Sequence, residues 1–285
     1  MTAPVYHAPR SLAEALAVLQ EFRGAGTVLA GGQDIVPLMN QGRLAPTHLV
    51  DIARLEELRN ITEDAGLTIG ALATHADLVR HGTIRSHLPL LVDAVRQMGG
   101  GLQVRNRGTI GGSLCAANPA YDLPACLLVL DAVLVLAGAA GVRRVSSSAF
   151  FLGAGRTVRR DDELLTAIEI PALPTGAGSA YVKLKFMEGG YTIAGAACVL
   201  VASANGTCRE ARLAVSGVSA VPRRISAAEA ALAGHRVTSE TLAAVSAQIA
   251  GTITDPIEDV MAPADYRREM AGVMAARAVA EAAAR

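Results

Sequence analysis

The sequence has no tryptophan, few aromatic side chains and no excess charge of either sign. Aromatic residues make up 3% of the 285 residues, and 26 Lys and Arg balance 26 Asp and Glu. Without a basic excess to neutralise phosphates, nucleic acid is not expected as a partner. Hydrophobic residues make up 51%, so the chain is too apolar for a disordered protein and long enough for about two domains, or one with subdomains.

Long apolar runs are also missing. The longest runs, 125–140 with Asp131 inside it and 194–204, fall short of the ~18 apolar residues of a membrane span. Met1–Arg10 lacks a basic start followed by an apolar stretch, so no secretory leader is expected. These features predict a cytoplasmic protein without a membrane span.

The spacing of the cysteines and the absence of common catalytic motifs argue against several kinds of site. No two cysteines have CxxC spacing, which argues against a zinc site or an iron–sulfur cluster held by this chain alone; they are Cys115, Cys126, Cys198 and Cys208. GxGxxG, GK and HExxH are absent, so neither a Rossmann fingerprint, a P-loop nor a zinc protease motif is present. Gly111–Cys115 nearly forms a GxSxG elbow, but Cys115 replaces the last glycine, which argues against a serine hydrolase.

The hydrophobic pattern predicts an α+β protein. Short strands and helices alternate up to residue 170, and 171–178 (PALPTGAG) is the best candidate for a linker. Three longer strands and then three helices follow, which is typical of an α+β domain. The N-terminal part opens with a helix for which Ser11–Glu14 predicts a capping box.

Two Gly-Gly pairs are the strongest candidates for a binding site. One lies in Leu29–Asp34 (LAGGQD) and the other in Gly108–Ser113 (GTIGGS). Adjacent glycines let backbone N–H groups approach an anion closely, and a helix start or a run of N–H groups supplies a favourable field. We interpret each pair as a turn, and the two turns as two sides of one pyrophosphate.

The segments around these pairs resemble the flavoprotein subunits of the molybdenum hydroxylases, a family that includes carbon monoxide, nicotine-type and bacterial xanthine dehydrogenases. Ala30–Met39 (AGGQDIVPLM) with 46–52 (PTHLVDI) is similar to the first flavin-binding segment of that family. Gln103–Ser113 (QVRNRGTIGGS) with 117–124 (ANPAYDLP) is similar to the second. IGALATH at 69–75 and ELLTAIEIP at 163–171 also fit, so the resemblance covers nearly the whole chain in order.

This resemblance implies a vanillyl-alcohol-oxidase-type (PCMH-type) α+β fold that binds FAD. It implies FAD-binding subdomains at 1–57 and 58–175, and a C-terminal domain of the CO dehydrogenase flavoprotein type at 176–285. Asp122 matches an acid that contacts the adenosine portion, Leu165 a backbone contact, and Lys183 a lysine near the flavin, with Lys185 as an alternative register. The implied cofactor-binding residues are Leu29, Ala30, Gly31, Gly32, Gln33, Asp34, Ile35, Thr109, Ile110, Gly111, Gly112, Ser113, Asp122, Leu165, Lys183 and Tyr191.

The resemblance also implies partners. A large subunit would carry the molybdopterin cofactor, and a small subunit would carry two [2Fe-2S] clusters, in a dimer of heterotrimers. Electrons would pass from the clusters through FAD to NAD, a quinone, oxygen or another acceptor. The substrate pocket would lie on the large subunit, so carbon monoxide, an N-heterocycle and an aldehyde all stay open. The alternatives are a stand-alone flavoenzyme of the same fold and a flavin-free assembly subunit.

Two positions depart from the family pattern. Asp34 stands where relatives carry a serine, and its carboxylate would repel a pyrophosphate if it pointed inward. We therefore expect Asp34 to face away or to cap the following turn. The segment Gly189–Tyr191 replaces part of an arginine-rich stretch, and we place Tyr191 near the isoalloxazine ring, with a plain surface tyrosine as the alternative.

Three further side chains keep two interpretations each. His75 fits either the lining of the flavin site or a structural role. Arg105 and Arg107 precede the second glycine pair, and either contact a neighbouring subunit or are solvated.

Overall fold

The N-terminal part of the molecule is a small parallel sheet with two helices. The computed structural model describes residues 3–285. Its first elements are β1 (Val5–His7), α1 (Leu12–Glu21), β2 (Gly26–Leu29), α2 (Ile35–Asn40) and β3 (His48–Asp51), followed by a short 3₁₀ turn at Glu56–Leu58. The strand order is β1-β3-β2, and both pairings are parallel. Ala15 and Leu19 of α1 pack in the core of this part together with Val50 of β3.

Only half of the predicted capping box of α1 is formed. The Ser11 side chain accepts from the N–H of Glu14 at 3.2 Å, as expected of an N-cap. The Glu14 carboxylate, however, accepts from the N–H of Arg10 at 2.7 Å instead of that of Ser11. The helix therefore starts where the sequence predicts, but the second bond of the capping box is made to the N–H of Arg10 rather than to that of Ser11.

The middle part is an antiparallel five-stranded sheet covered by helices. Its strand order is β4-β5-β10-β6-β7, and β6 and β7 form a hairpin. The elements are β4 (Ile61–Glu63), β5 (Gly66–Gly70), α3 (His75–Arg80), α4 (Gly82–His87), α5 (Pro89–Gln97), α6 (Gly101–Arg107), α7 (Ile110–Ala116), α8 (Leu123–Val129), β6 (Val133–Gly138), β7 (Gly141–Ser146), α9 (Ser147–Phe150), β8 (Phe151–Gly153), β9 (Arg156–Thr157) and β10 (Glu163–Pro171). Between β10 and the next strand only 172–176 remain, so the predicted linker is shorter at both ends.

The C-terminal part is an antiparallel sheet, β11-β12-β13-β14, with three helices. Its elements are β11 (Ala177–Lys185), β12 (Thr192–Ala202), β13 (Cys208–Ser216), β14 (Arg223–Arg224), α10 (Ser226–Leu232), α11 (Ser239–Thr252) and α12 (Ala264–Ala283). Strand β12 is buried on both faces, and its side chains alternate between two cores. Ala196 and Cys198 pack toward the C-terminal helices, whereas Ala197 and Val199 join the core of the middle part. The C-terminal sheet is therefore firmly attached to the rest.

Among residues 3–285, no helix combines the length and the apolar character that a membrane span needs.

Candidate functional site

All three parts of the chain contribute to one large cavity of about 740 Å³. Such a volume lies within the ~300–1,000 Å³ of ordinary ligand pockets. Most of the predicted site residues line it, namely Ala30, Gly31, Gly32, Gln33, Asp34, Ile35, Thr109, Gly111, Gly112, Ser113, Asp122, Leu165, Lys183 and Tyr191. Leu29 and Ile110 are not among its lining residues, and Ile110 is fully buried in the core of the middle part.

The first glycine pair forms the predicted turn between β2 and α2. Gly32 has a φ of +74°, a left-handed conformation that favours glycine. Within residues 3–285, no protein acceptor pairs with the backbone N–H groups of the four residues 31–34. These residues line the cavity, so the turn presents a run of unpaired donors of the kind that binds anions.

The second glycine pair does not form the predicted turn. Gly111 and Gly112 lie in the first turn of α7, whose N-cap is Thr109. The N–H of Gly111 donates to the carbonyl of Ala71 at 2.9 Å, and that of Gly112 to the Thr109 side chain at 3.1 Å. The prediction that both pairs offer free N–H groups is therefore wrong for the second pair.

Close packing explains why glycines stand at these positions. A Cβ on Gly111 would lie 2.7 Å from the Cβ of Ala71, so the helix start rests directly on the chain after β5. A Cβ on Gly31 would overlap the carbonyl oxygen of Arg107. The two predicted segments therefore abut each other, and Thr109 and Ser113 of the second segment are among the residues that line the cavity.

Asp34 does not cap α2, and it is among the residues that line the cavity. A capping side chain accepts from the N–H of the second or third helical residue. The third residue of α2 is Pro37, which has no N–H, and the N–H of Val36 already donates to the carbonyl of Gly32 at 3.1 Å. The Asp34 carboxylate instead accepts a hydrogen bond from the hydroxyl of Tyr121.

Asp122 and Lys183 form a buried ion pair that lines the cavity. The Lys183 Nζ lies 3.2 Å from the Asp122 carboxylate, which also accepts from the hydroxyls of Tyr181 and Thr192 at 2.6 Å each. Lys183 is the lysine in the cavity, because Lys185 is not among the lining residues and pairs with Glu188 instead.

The resemblance implies Asp122 at the adenosine portion of FAD and Lys183 beside the flavin, and both roles stay predictions. The structure shows that the two groups lie 3.2 Å apart. The Lys183 Nζ also lies 3.4 Å from the carbonyl of Gly190, next to Tyr191, so both groups share the end of the cavity at which Tyr191 lies.

Tyr191 stands at the mouth of the cavity. Its side chain is 55% exposed, and its ring is stacked with that of Tyr121 at a centroid distance of 6.3 Å. The N–H of Gly100 donates to the carbonyl of Gly189 at 3.3 Å, which attaches the β11–β12 connection to the start of α6. Tyr191 is therefore a cavity residue as well as an exposed hairpin side chain.

His75 lines the cavity and is almost fully buried. Burial lowers the pKa of His75 to about 4, so the imidazole is neutral near pH 7. Its Nδ1 has no hydrogen-bond partner among the described residues. Arg105 is half-buried and Arg107 exposed, and neither is among the lining residues.

Sequence reasoning missed several lining residues. Tyr121 could have been found, because it lies in the quoted ANPAYDLP segment directly before Asp122. Arg159 and Cys115 carry no sequence signal, and the fold alone brings them to the cavity. Burial raises the pKa of the Cys115 thiol to about 11, so this thiol is protonated at neutral pH. The four cysteines are all free.

The donor set fits a dinucleotide that carries a pyrophosphate. The unpaired N–H groups of residues 31–34 suit an anion, the hydroxyls of Thr109 and Ser113 suit polar oxygens, and the Asp122–Lys183 pair suits a polar ring edge.

The comparisons with known proteins agree with this geometry. Residues 1–173 match the family model described as "FAD binding domain in molybdopterin dehydrogenase", and residues 179–282 match "CO dehydrogenase flavoprotein C-terminal domain". The chain is 38% identical to the carbon monoxide dehydrogenase medium chain of Hydrogenophaga pseudoflava over 98% of this chain and 97% of that one. It is 34% identical to the glyceraldehyde dehydrogenase medium chain of Sulfolobus acidocaldarius, covering 98% of each.

Solved structures show the same similarity. A carbon monoxide dehydrogenase from Hydrogenophaga pseudoflava that lacks the Mo-pyranopterin moiety of its cofactor has a chain with a TM-score of 0.95 at 38% identity, covering 99% of this chain and 98% of that one. Quinoline 2-oxidoreductase from Pseudomonas putida 86 has a chain with a TM-score of 0.93 at 30% identity, with the same coverage of both chains. The α+β fold implied by the resemblance is thereby confirmed.

Proposed function

The chain belongs to the family of FAD-binding medium subunits of molybdenum hydroxylases, and from this premise we propose that it passes electrons from [2Fe-2S] clusters of a partner through FAD to an external acceptor. It is an oxidoreductase subunit with an FAD-binding domain. The observation that carries the proposal is the run of unpaired N–H groups at residues 31–34, which opens into a cavity large enough for a dinucleotide.

We assign the residues of this chain to parts of FAD as follows. The N–H groups of residues 31–34 donate to the pyrophosphate, aided by the hydroxyls of Thr109 and Ser113. The Asp122–Lys183 pair and Tyr191 lie beside the isoalloxazine ring, where Lys183 holds a positive charge that Asp122 balances. When bound, FAD supplies single-electron acceptance and two-electron release.

The proposed partners follow from the relatives. Those proteins are named medium chains or subunits of dehydrogenases, which supports a complex with a large molybdopterin subunit and a small iron–sulfur subunit, in a dimer of heterotrimers. We also propose a cytoplasmic location, where free thiols persist. The substrate stays open among carbon monoxide, an N-heterocycle and an aldehyde, and the acceptor among NAD, a quinone and oxygen.

We further propose that 1–57, 58–175 and 176–285 are three structural units. Three groups of buried apolar side chains lie mainly within these units and support the division, although Leu72 and Leu164 pack with the first group and Ala197 and Val199 with the second. One of them is centred on Leu19 and Val50, the next on α5 and α8, and the last on β12 and α12.

The test is flavin content and binding. Purified protein is expected to show the flavin absorbance band at about 450 nm, with one FAD per chain. Added FAD at a thousand times its Kd is expected to stabilise flavin-free protein by about 4 kcal/mol. Protein that shows neither the band nor the stabilisation would overturn the proposal and favour the flavin-free assembly subunit.

Co-purification tests the remaining alternative, a stand-alone flavoenzyme. The proposed subunit elutes with an iron–sulfur protein and a molybdopterin protein. A flavin-loaded chain that elutes alone and turns over a substrate by itself would instead be a stand-alone flavoenzyme.

A further inference from the structure

A side-chain hydrogen bond joins two segments of the cavity wall that lie far apart in the sequence. Tyr121, on the connection between α7 and α8, donates its hydroxyl to Oδ1 of Asp34, at the start of α2. The two residues are 87 positions apart in the sequence, and both line the cavity.

The Asp34 carboxylate lies where a second negative charge is unfavourable. It belongs to the same turn as the unpaired N–H groups of residues 31–34. Helix α2 cannot engage this carboxylate, because Pro37 lacks an N–H and Val36 donates to Gly32. A carboxylate without a donor would repel a pyrophosphate bound at this turn.

Lys183 and Arg159, the two cationic residues that line the cavity, form no ion pair or hydrogen bond with Asp34. Lys183 is paired with Asp122. The Arg159 guanidinium donates to the carbonyls of Arg160 and Glu163, at 2.7 and 2.8 Å. Among the described residues, the Tyr121 hydroxyl is the hydrogen-bond donor to the Asp34 side chain.

We propose that Tyr121 is a positioning residue for the pyrophosphate of FAD: its hydroxyl holds and partly neutralises the Asp34 carboxylate, so that the N–H groups of residues 31–34 are left to donate to phosphate. The proposal rests on the FAD-binding function proposed above. It gives Asp34, which departs from the family pattern, a defined partner in this chain.

The surroundings of Tyr121 keep its hydroxyl in place as a donor. The Tyr121 N–H donates to the carbonyl of Asn118 at 3.0 Å, and the Asn118 side chain accepts from the N–H of Ala120 at 3.0 Å. The ring stacks with that of Tyr191. Burial and the neighbouring Asp34 raise the pKa of Tyr121, so its hydroxyl stays protonated throughout the neutral range.

A double-mutant cycle on FAD affinity tests the proposal. The full chain, in the complex with which it purifies, is freed of flavin and titrated with FAD, and the Kd is read from flavin fluorescence. Tyr121→Phe is expected to raise the Kd about 10- to 100-fold, as for a lost hydrogen bond to a charged group. In an Asp34→Asn background the same change is expected to matter less than about threefold, because no charge remains to be neutralised. Equal losses in both backgrounds, or a Kd unchanged by Tyr121→Phe, would overturn the proposal.

Tyr6→Phe is the matched control. Tyr6 also donates to an aspartate, Asp51, on the outer side of the N-terminal part, and it does not line the cavity. Its loss is expected to leave the FAD affinity unchanged. A general effect of Tyr–Asp bonds on the fold would weaken binding in this variant as well, and would count against the proposal.

If Tyr121→Phe does not fold, Asp34→Asn alone still tests whether Tyr121 compensates the charge of Asp34. Because the Tyr121 hydroxyl already compensates the Asp34 charge in the unchanged protein, Asp34→Asn is expected to change the Kd for FAD less than about threefold, and a change of about tenfold or more in either direction would overturn the proposal. If the unchanged protein itself bound no FAD, the proposed function would fail. If it bound FAD with no difference between the two backgrounds, only the role of Tyr121 would fail.

Discussion

Burial decides which single residues of the cavity carry charge at neutral pH. His75 and Cys115 both line the cavity, and burial keeps both neutral, by lowering the pKa of the first to about 4 and raising that of the second to about 11. The ion pair of Asp122 and Lys183 is neutral as a unit. The residue types alone could not reveal these states, because they depend on which elements cover each side chain.

His75 makes the stability of the protein depend on pH. Its pKa is about 4 in the folded state and near 6.5 when exposed, so the unfolded state binds more protons between these values. Its contribution is therefore complete above about pH 6.5 and is lost as the pH falls toward 4, by about 3 kcal/mol in all. Urea unfolding at pH 7 and pH 5 is expected to show a smaller pH difference in His75→Gln, by about 2 kcal/mol. His235→Gln, at an exposed histidine, is the control, and an equal pH difference in His75→Gln and the unchanged protein contradicts the prediction.

Tyr191 is expected to influence the bound flavin through its ring. Tyr191→Ala removes an aromatic partner worth about 0.5–1.5 kcal/mol and is expected to alter the flavin absorbance spectrum and weaken FAD binding up to about tenfold. Phe186→Ala is the control, since Phe186 lies on the same hairpin but outside the cavity lining. An unchanged spectrum, potential and turnover in Tyr191→Ala would leave Tyr191 as a surface tyrosine.

At the scale of elements, local patterns predicted the helices and strands well but failed where one element packs on another. The three longer strands and three helices that the sequence predicts after the linker are present as β11, β12, β13, α10, α11 and α12, because periodicity and local signals determine them. The sequence predicts a turn at the second glycine pair, whereas the pair lies in a helix, where contact with Ala71 requires glycine at Gly111. Lys183 and Lys185 are two positions apart in β11, so in a regular strand their side chains would share one face. The register of β11 with β12 shifts between Leu184 and Lys185, which interrupts this regular pattern.

Gly31 is expected to be essential for the contact between the two binding segments. A Cβ at this position meets the backbone of Arg107, so Gly31→Ala has to push the segments apart at a cost of about 1–3 kcal/mol. We expect loss of stoichiometric FAD on gel filtration, together with a lower urea midpoint.

Gly251→Ala is the matched control for Gly31→Ala. Gly251 lies in α11 with open space around the added Cβ, so this change is expected to keep FAD and to raise stability by about 0.5–1 kcal/mol. Full FAD content in Gly31→Ala would show that the two segments need not touch to bind the cofactor.

At the scale of the whole molecule, the cavity depends on pairings that no local pattern contains. Asp122 comes from the middle part, yet its three hydrogen-bond donors come from β11 and β12. The resemblance identified Asp122 and Lys183 separately, but only the fold shows that they form one pair. Tyr121 and Asp34 illustrate the same limit, because a hydrogen bond across 87 positions leaves no trace in spacing.

Through Arg267, the last helix, α12, also contributes to the structure around the cavity. Its side chain is 1% exposed, and its Nη1 donates to the carbonyls of Ile193 and Gly217, at 2.9 and 2.7 Å. The N–H of Gly217 in turn donates to the carbonyl of Pro119 at 2.9 Å, close to Tyr121 and Asp122. Through these bonds α12 supports the cavity wall from behind, without touching the cavity itself.

Arg267→Met is therefore expected to weaken both the fold and FAD binding. It leaves two buried carbonyls without their donor and removes the ion pair with the half-exposed Asp259, which predicts a loss of about 2–6 kcal/mol in urea unfolding. FAD is expected to dissociate faster at temperatures well below the unfolding midpoint, because the 119–122 connection loses its support. Arg268→Met is the control, since Arg268 forms an exposed pair with Asp265 worth less than about 1 kcal/mol. If Arg267→Met lowers the stability but leaves the FAD dissociation rate unchanged, Arg267 stabilises only the C-terminal core and does not support the FAD site.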